Sequence, residues 1–277
     1  MTLIGRSLFA RLQENIVSKI RTIMDKEWAE VFKNRAVLLT MLFMPLFFTA
    51  LPLIVLYAMG SNAGNSDVMD MPPQFARICG DLTGNACTQV FTVNQFMLLF
   101  MMMPLAIPVA ISAYSIVGEK TTRCLEPLLA TPITTIELIV GKGLAAVIPA
   151  ILATWGGFGI FAFGARFLVV NPAVYARLLD PMWLMAVIIV GPLMAVAAVQ
   201  VSIIVSSRVS DPRAAEQISM VVIVPLLGVF FGQMAGVFLL DTRFIVVTAV
   251  VLTLVDVGLV YLGVGLFQRE TILTKWK

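Results

Sequence analysis

Six separate stretches of this chain are long and apolar enough to cross a bilayer, and that feature restricts it more than any other. A hydrocarbon core about 30 Å thick takes roughly 20 residues of helix to span. Residues 36–59, 94–117, 143–165, 182–205, 218–240 and 244–266 each reach that length. Backbone groups in hydrocarbon must bond within their own segment, so each stretch is expected to be an α-helix. None shows the strict polar–apolar alternation of a membrane barrel. The expected fold is therefore an all-α membrane protein with six transmembrane helices. Composition agrees: 60% of the 277 residues are hydrophobic and 13% charged, too few charges to cover a water-facing particle. No short apolar core with an Ala-x-Ala site precedes residue 36, so no cleaved signal peptide is expected.

An even number of spans puts both ends of the chain on one side. Fifteen cations fall there: Arg6, Arg11, Lys19, Arg21, Lys26, Lys33 and Arg35, then Lys120, Arg123 and Lys142, then Arg208 and Arg213, then Arg269, Lys275 and Lys277. Only Arg77, Arg166, Arg177 and Arg243 fall on the other. Because Lys and Arg are retained in the cytoplasm, both termini are expected to be cytoplasmic. The net charge of only +3 gives no footprint for nucleic acid.

Several chemistries are excluded at this level. The chain has no histidine, which removes Ser–His and Cys–His nucleophile pairs, HExxH zinc sites and histidine-ligated haem. Three cysteines are too few for a Cys₄ metal site. No GxxxxGK[ST] occurs; around Gly141-Lys142-Gly143 neither the earlier glycine nor the following hydroxyl is present. No metal and no bound cofactor are expected on this chain.

The loop over residues 60–93, on the non-cytoplasmic side, is rich in Gly, Asn, Asp and Pro and reads as turns with little regular structure. Cys79 and Cys87 lie in it, where an oxidising compartment favours a disulfide; two free thiols are the alternative. Cys124 falls on the reducing side.

Within the spans, Asp256 is the one fully ionisable residue placed deep, about halfway along the sixth. A carboxylate there costs roughly 2.5–3.5 kcal/mol on insertion scales, so it should face protein or water. It reads either as a cation or proton site, or as a protonated acid hydrogen-bonded to Gln200 or Gln233. Those glutamines read as interhelical contacts rather than ligands. Gly228, Gly232 and Gly236 form a GxxxGxxxG face suited to close helix approach, within the chain or between two copies. Prolines 45, 52, 104, 108, 149, 192 and 225 should bend or break their spans, and neighbours must satisfy the freed carbonyls. The run Met101-Met102-Met103 reads as an adaptable apolar surface or as ordinary core.

Two segments on the cytoplasmic side are more patterned than connectors need to be. Between residues 12 and 32, Leu12, Ile16, Ile20, Ile23, Met24, Trp28 and Val31 recur at helical spacing. Such a helix should lie along the headgroup plane with Trp28 at the interface, as an anchor or a docking element. The loop GEKTTRCLEPLLATPITTIELIVGK (residues 118–142) carries apolar Leu125, Leu128 and Leu129 among six charges. It suggests a short helix with a face to bury against a partner or against the N-terminal helix. Thr134 or Thr135 can cap the following helix.

This loop resembles the corresponding loop of type-2 ABC transporter permeases. The likeness runs through Glu119-Lys120, Leu125-Glu126, Leu128-Leu129, Thr131-Pro132, Glu137 and Gly141-Lys142. Lys26-Glu27, Lys33-Asn34-Arg35, Leu38 and Pro45 likewise resemble that family's entry to its first span. A departure is Thr121-Thr122-Arg123-Cys124, where relatives usually carry an acid and then Gly-Thr.

The resemblance implies an organisation: residues 1–35 as a cytoplasmic segment with an amphipathic connecting helix (Lys26, Glu27, Trp28, Arg35), and 36–277 as a six-helix transmembrane domain. It implies a permease that pairs with an identical or paralogous copy and with two ATP-binding subunits, which hold the ATP and Mg. Glu119, Lys120, Arg123, Glu126, Leu128 and Leu129 would then couple to those subunits. The expected activity is export of a lipophilic or amphipathic substrate across a prokaryotic cytoplasmic membrane. An ion-coupled secondary transporter using Asp256 is the alternative; it predicts inverted repeats and several intramembrane charges, and neither is evident. An intramembrane enzyme would need a catalytic dyad, and one deep acid without histidine cannot form it.

Overall fold

A computed structural model describes residues 3–33, 35–61, 84–121, 134–169, 171–237 and 240–266. Among the described residues the regular structure is entirely helical. The N-terminal helix α1 runs Leu3–Lys33, and the first span, α2, covers Arg35–Ser61. The second span is two helices, α3 (Asn85–Phe100) and α4 (Met103–Thr121). The third is the single helix α5, Thr135–Leu168. The fourth is assembled from α6 (Pro172–Leu178), α7 (Pro181–Met185), a π turn at Ala186–Val190 and α8 (Gly191–Arg208). The fifth combines α9 (Pro212–Ser219), a 3₁₀ turn at Met220–Ile223 and α10 (Val224–Met234). The sixth is α11, Thr242–Leu266. Among the described residues six helical segments are long and apolar enough to cross a membrane, and each overlaps one of the six expected stretches.

Prolines set the internal breaks, each for a stated reason. Pro104 has no N–H to continue the ladder, and the second span turns at Met101-Met102 just before it. Pro225 orphans the carbonyl of Val221, which the tighter 3₁₀ turn satisfies through the N–H of Val224. Pro192 lies just after the π turn, in which Gly191 N–H reaches back to Ala186 O. In that i→i+5 register the donor for Val187 O would be residue 192, a proline; the indole of Trp155 donates instead, at 3.1 Å. Pro45, Pro52, Pro108 and Pro149 sit inside continuous helices.

Two readings of the sequence are corrected here, and one pair of alternatives is decided. Helix α3 begins at Asn85, so the last nine residues of the supposed loop are helical and its first buried side chains belong to the second span. The fifth span ends at Met234, not residue 240. Gly236 has φ 70°, Val237 N–H bonds Gly232 O at 3.0 Å, and Gly236 N–H bonds Gln233 O at 2.9 Å. That pair of bonds is a Schellman stop, so Gly236 terminates the helix rather than extending a packing face. The methionine run is core: Met101 and Met103 are buried.

Helix α4 is the centre of the bundle. It packs against α5, α8 and α9, and α5 in turn against α1 and α2. The second span is 83% buried within the chain, whereas the first, fifth and sixth are 18%, 17% and 11% buried. The core is built from Phe100, Met103, Ile107 and Ile111 of the second span with Phe161 and Trp183 of the third and fourth. The Trp183 indole N–H donates to Asn94 Oδ1 at 3.0 Å, so a buried polar group of the second span is satisfied by the fourth.

Where α2 meets α5, a β-carbon at Gly164 would stand 2.9 Å from Leu53 Cδ2. Gly164→Val should therefore lower the melting temperature in detergent by pushing the first span off the third, an overpacking cost of about 1–3 kcal/mol. Gly159→Val, where an added β-carbon meets nothing within 4 Å, should leave the melt nearly unchanged.

Candidate functional site

The N-terminal helix does not stand apart from the spans. Ile23, Glu27 and Val31, four residues apart along α1, are buried, and α1 packs mainly on the first turns of α5. Gly141 permits the approach: a β-carbon there would come within 2.9–3.3 Å of the Ile23 side chain. Because isoleucine branches at Cβ, it could not swing aside.

A charged cluster lies in this contact. Lys142 Nζ stands 2.5 Å from Glu27 Oε1 and donates to Ser115 Oγ at 2.9 Å, while Ser115 Oγ donates to Glu27 Oε2. All three side chains are buried. Helix α1, the end of α4 and the start of α5 thus meet in one closed set of bonds. A buried ion pair is favoured only when its remaining donors and acceptors are satisfied, and the serine hydroxyl contributes to that here.

Two further contacts flank the cluster. The Trp28 indole donates to Ala145 O at 2.9 Å. Ala145 lies four residues before Pro149, so this carbonyl has lost its helical donor, and α1 supplies the replacement. Trp28 therefore sits against the third span. At the N-terminus of α5, Thr134 Oγ1 accepts from Glu137 N–H and Glu137 Oε2 accepts from Thr134 N–H at 2.7 Å, a complete capping box. The other Glu137 oxygen is 3.5 Å from Lys19 Nζ of α1. The helices on either side of residues 122–133 are thereby tied to α1: α4 through Ser115, and α5 through Lys142, Ala145 and Glu137.

The remaining expected residues fall as follows. Lys26 pairs with Glu30 at 3.6 Å on the exposed side of α1, and Arg35 opens α2, exposed. Glu119 and Lys120 stand on the last turn of α4. Arg123, Glu126, Leu128 and Leu129 lie outside the described residues, as do Cys79 and Cys124. Cys87 is buried and disulfide-bonded.

Asp256 is buried, and neither carboxyl oxygen has a hydrogen-bond partner among the described residues; the bonds to Gln200 or Gln233 considered from sequence are not made. Gln233 is buried with an unpartnered amide oxygen. Gly228 is exposed with nothing within 4 Å of an added β-carbon, so none of the described residues uses it for close approach. Among the described residues no group of three or more His, Cys, Asp or Glu side chains is arranged to hold a metal.

Sequence reasoning missed Ser115 altogether and named Lys142 only as an orienting cation and as part of a motif. The available signal was Glu27 itself, one acid in register with Ile23 and Val31 on the apolar face of a helix.

Removing one partner of the buried pair should cost about 3–5 kcal/mol. Lys142→Met or Glu27→Gln should each lower the thermal midpoint of the purified chain far more than Lys26→Met. The double variant should recover part of the loss, and a double variant as unstable as the sum of the singles would refute the pairing.

A family model described as ABC-2 family transporter protein matches residues 21–246, from the middle of α1 into α11. No curated protein matches the chain.

Proposed function

The chain belongs to the ABC-2 family of transporter proteins and is the permease component of an ABC transporter; from that premise we propose that it exports a lipophilic or amphipathic substrate, driven by ATP hydrolysed on separate subunits. The active assembly holds two permeases, identical or paralogous, and two ATP-binding subunits that carry the ATP and Mg. This chain is the moved part and catalyses nothing itself. It lies in a prokaryotic cytoplasmic membrane with both termini inside, a reading supported by fifteen cations on that side against four. The lipophilic cargo is supported by the scarcity of charge along the spans, although family membership alone does not fix cargo.

One observation supports the coupling role above the others. The buried Glu27–Lys142–Ser115 set joins α1 to the two helices that border residues 122–133. A force applied by an ATP-binding subunit to that loop or to α1 would be delivered to α4, the most enclosed span. Glu119, Lys120, Arg123, Glu126, Leu128 and Leu129 are the contacts proposed to receive the force.

The test is ATP hydrolysis in the assembled complex. Glu126→Ala should lower the stimulation of ATPase activity by substrate severalfold while the isolated ATP-binding subunit is unaffected. Wild-type stimulation together with wild-type transport in that variant would remove Glu126 from the coupling surface. Failure of any ATP-binding subunit to co-purify with the chain would overturn the reading as a whole.

A further inference from the structure

With the termini cytoplasmic, the fourth span is fastened in its outer half and loose in its inner half. In the outer half, the Trp183 indole of α7 donates to Asn94 Oδ1 of the second span at 3.0 Å. In the π turn that follows, Val187 O accepts from the Trp155 indole of the third span at 3.1 Å. The inner half has no such ties. Between Ala195 and Ser206 the polar side chains of α8 are Gln200, Ser202 and Ser206, and none has a hydrogen-bond partner among the described residues. Both serines are fully buried. Other helical hydroxyls bond back to the carbonyl four residues earlier, as Thr92, Thr154 and Ser219 do at 2.8, 2.8 and 2.6 Å; these two do not. An unbonded hydroxyl held away from water is costly, so each serine favours any placement of α8 that gives it a partner.

The surface over which α8 meets α4 is smooth. Ala195, Ala198, Ser202 and Ser206 recur at three- and four-residue spacing, all fully buried. The adjoining stripe of α8, Val196, Val199 and Ile203, lies toward α5 and α11. That leaves the small stripe toward α4, the principal neighbour of α8. Helix α4 contributes Ala106, Ala110 and Ala113, which are also buried. Small side chains let two helices approach closely, and packed helices of this kind move by sliding along each other. The joint between the fastened and the loose half is the π turn at Ala186–Val190, with Pro192 just beyond it. Helices bend where a π turn or a proline interrupts the ladder, and here the two coincide.

We propose that the inner half of the fourth span is a lever: α8 pivots at the π turn, its small-residue face gliding over α4, and Ser202 and Ser206 gain in the swung position the hydrogen bonds they lack here. The inference rests on the reading of the chain as a permease driven by separate ATP-binding subunits, and it names the element that moves.

The experiment measures spin-label distances in the assembled complex in nanodiscs, with and without ATP trapped by vanadate. Labels are carried on p-acetylphenylalanine, and the labelled chain is diluted with unlabelled chain. The inner pair is Tyr114 of α4 with Arg208 of α8, and the outer pair is Leu152 of α5 with Ile189 of the π turn, all four exposed. Helix α8 has 18 residues and is roughly 27 Å long, so a pivot of about 10° carries its inner end about 5 Å. The inner distance should change by about that much on trapping, while the outer distance holds. Ser202→Ala combined with Ser206→Ala should not lower the thermal midpoint without nucleotide, because no bond is lost. In the trapped complex the same variant should cut the population at the new inner distance severalfold. An unchanged inner distance, equal changes in both pairs, a lowered midpoint in the serine variant, or an undiminished population of the new distance in it would each overturn the lever. The two readings fail distinguishably. ATP hydrolysis by the complex with a fixed inner distance defeats the lever alone, whereas the absence of any co-purifying ATP-binding subunit defeats the export reading and the lever with it.

Discussion

The constraint on which the structure depends is the cost of a backbone carbonyl without a donor where no water is present to supply one. Seven prolines lie in the six apolar stretches read from sequence, and each lacks the N–H that a helical ladder would use. Three of the freed carbonyls have visible and different remedies. Val221 is satisfied by a tightened turn, Val187 by the Trp155 indole of the neighbouring span, and Ala145 by the Trp28 indole of the N-terminal helix. The last two tie separate helices together, so the irregularities of this bundle are also among its fastenings. Helix α1 is held to α5 partly because α5 contains Pro149.

The packing divides the molecule into a tightly bound centre and an open flank. Helices α1, α4 and α5 share a buried ion pair, a serine hydroxyl and an indole–carbonyl bond, and α8 and α9 close around α4. The first, fifth and sixth spans bury less than a fifth of their apolar windows within the chain. In an integral membrane protein that surface faces lipid, whose tails have no donors to repair a break in a helix, or another subunit. The polar work is accordingly concentrated in the centre, where neighbouring helices can do it.

Much of this was legible in the sequence because hydropathy and length report directly on the solvent a segment requires. All six spans coincide with apolar stretches, and Thr134 was among the expected caps for α5. Boundaries were less legible where a turn residue competed with hydrophobicity. Residues up to 240 are apolar enough to span, but a glycine at positive φ ends the helix at Met234. Asn85 to Val93 looked like part of a turn-rich loop, yet they join the helix below. The triad was only half legible: Glu27 and Lys142 appear in motifs, but nothing in a one-dimensional pattern pairs residues 115 positions apart, and an isolated serine gives no signal. Residues 122–133, which hold most of the expected coupling surface, lie outside what the structure describes.

The order of synthesis bears on how the Glu27–Lys142 pair forms. Lys142 is buried near the start of α5, at the α1 end of the third candidate span, and a buried lysine is costly unless a counter-charge receives it. Glu27 leaves the ribosome first, well before Lys142, so the acid is already in place when the third segment reaches the translocon. The N-terminal helix can thus act as an internal chaperone for the segment that follows, and a chain translated without it would present an unmatched ammonium group to the lipid.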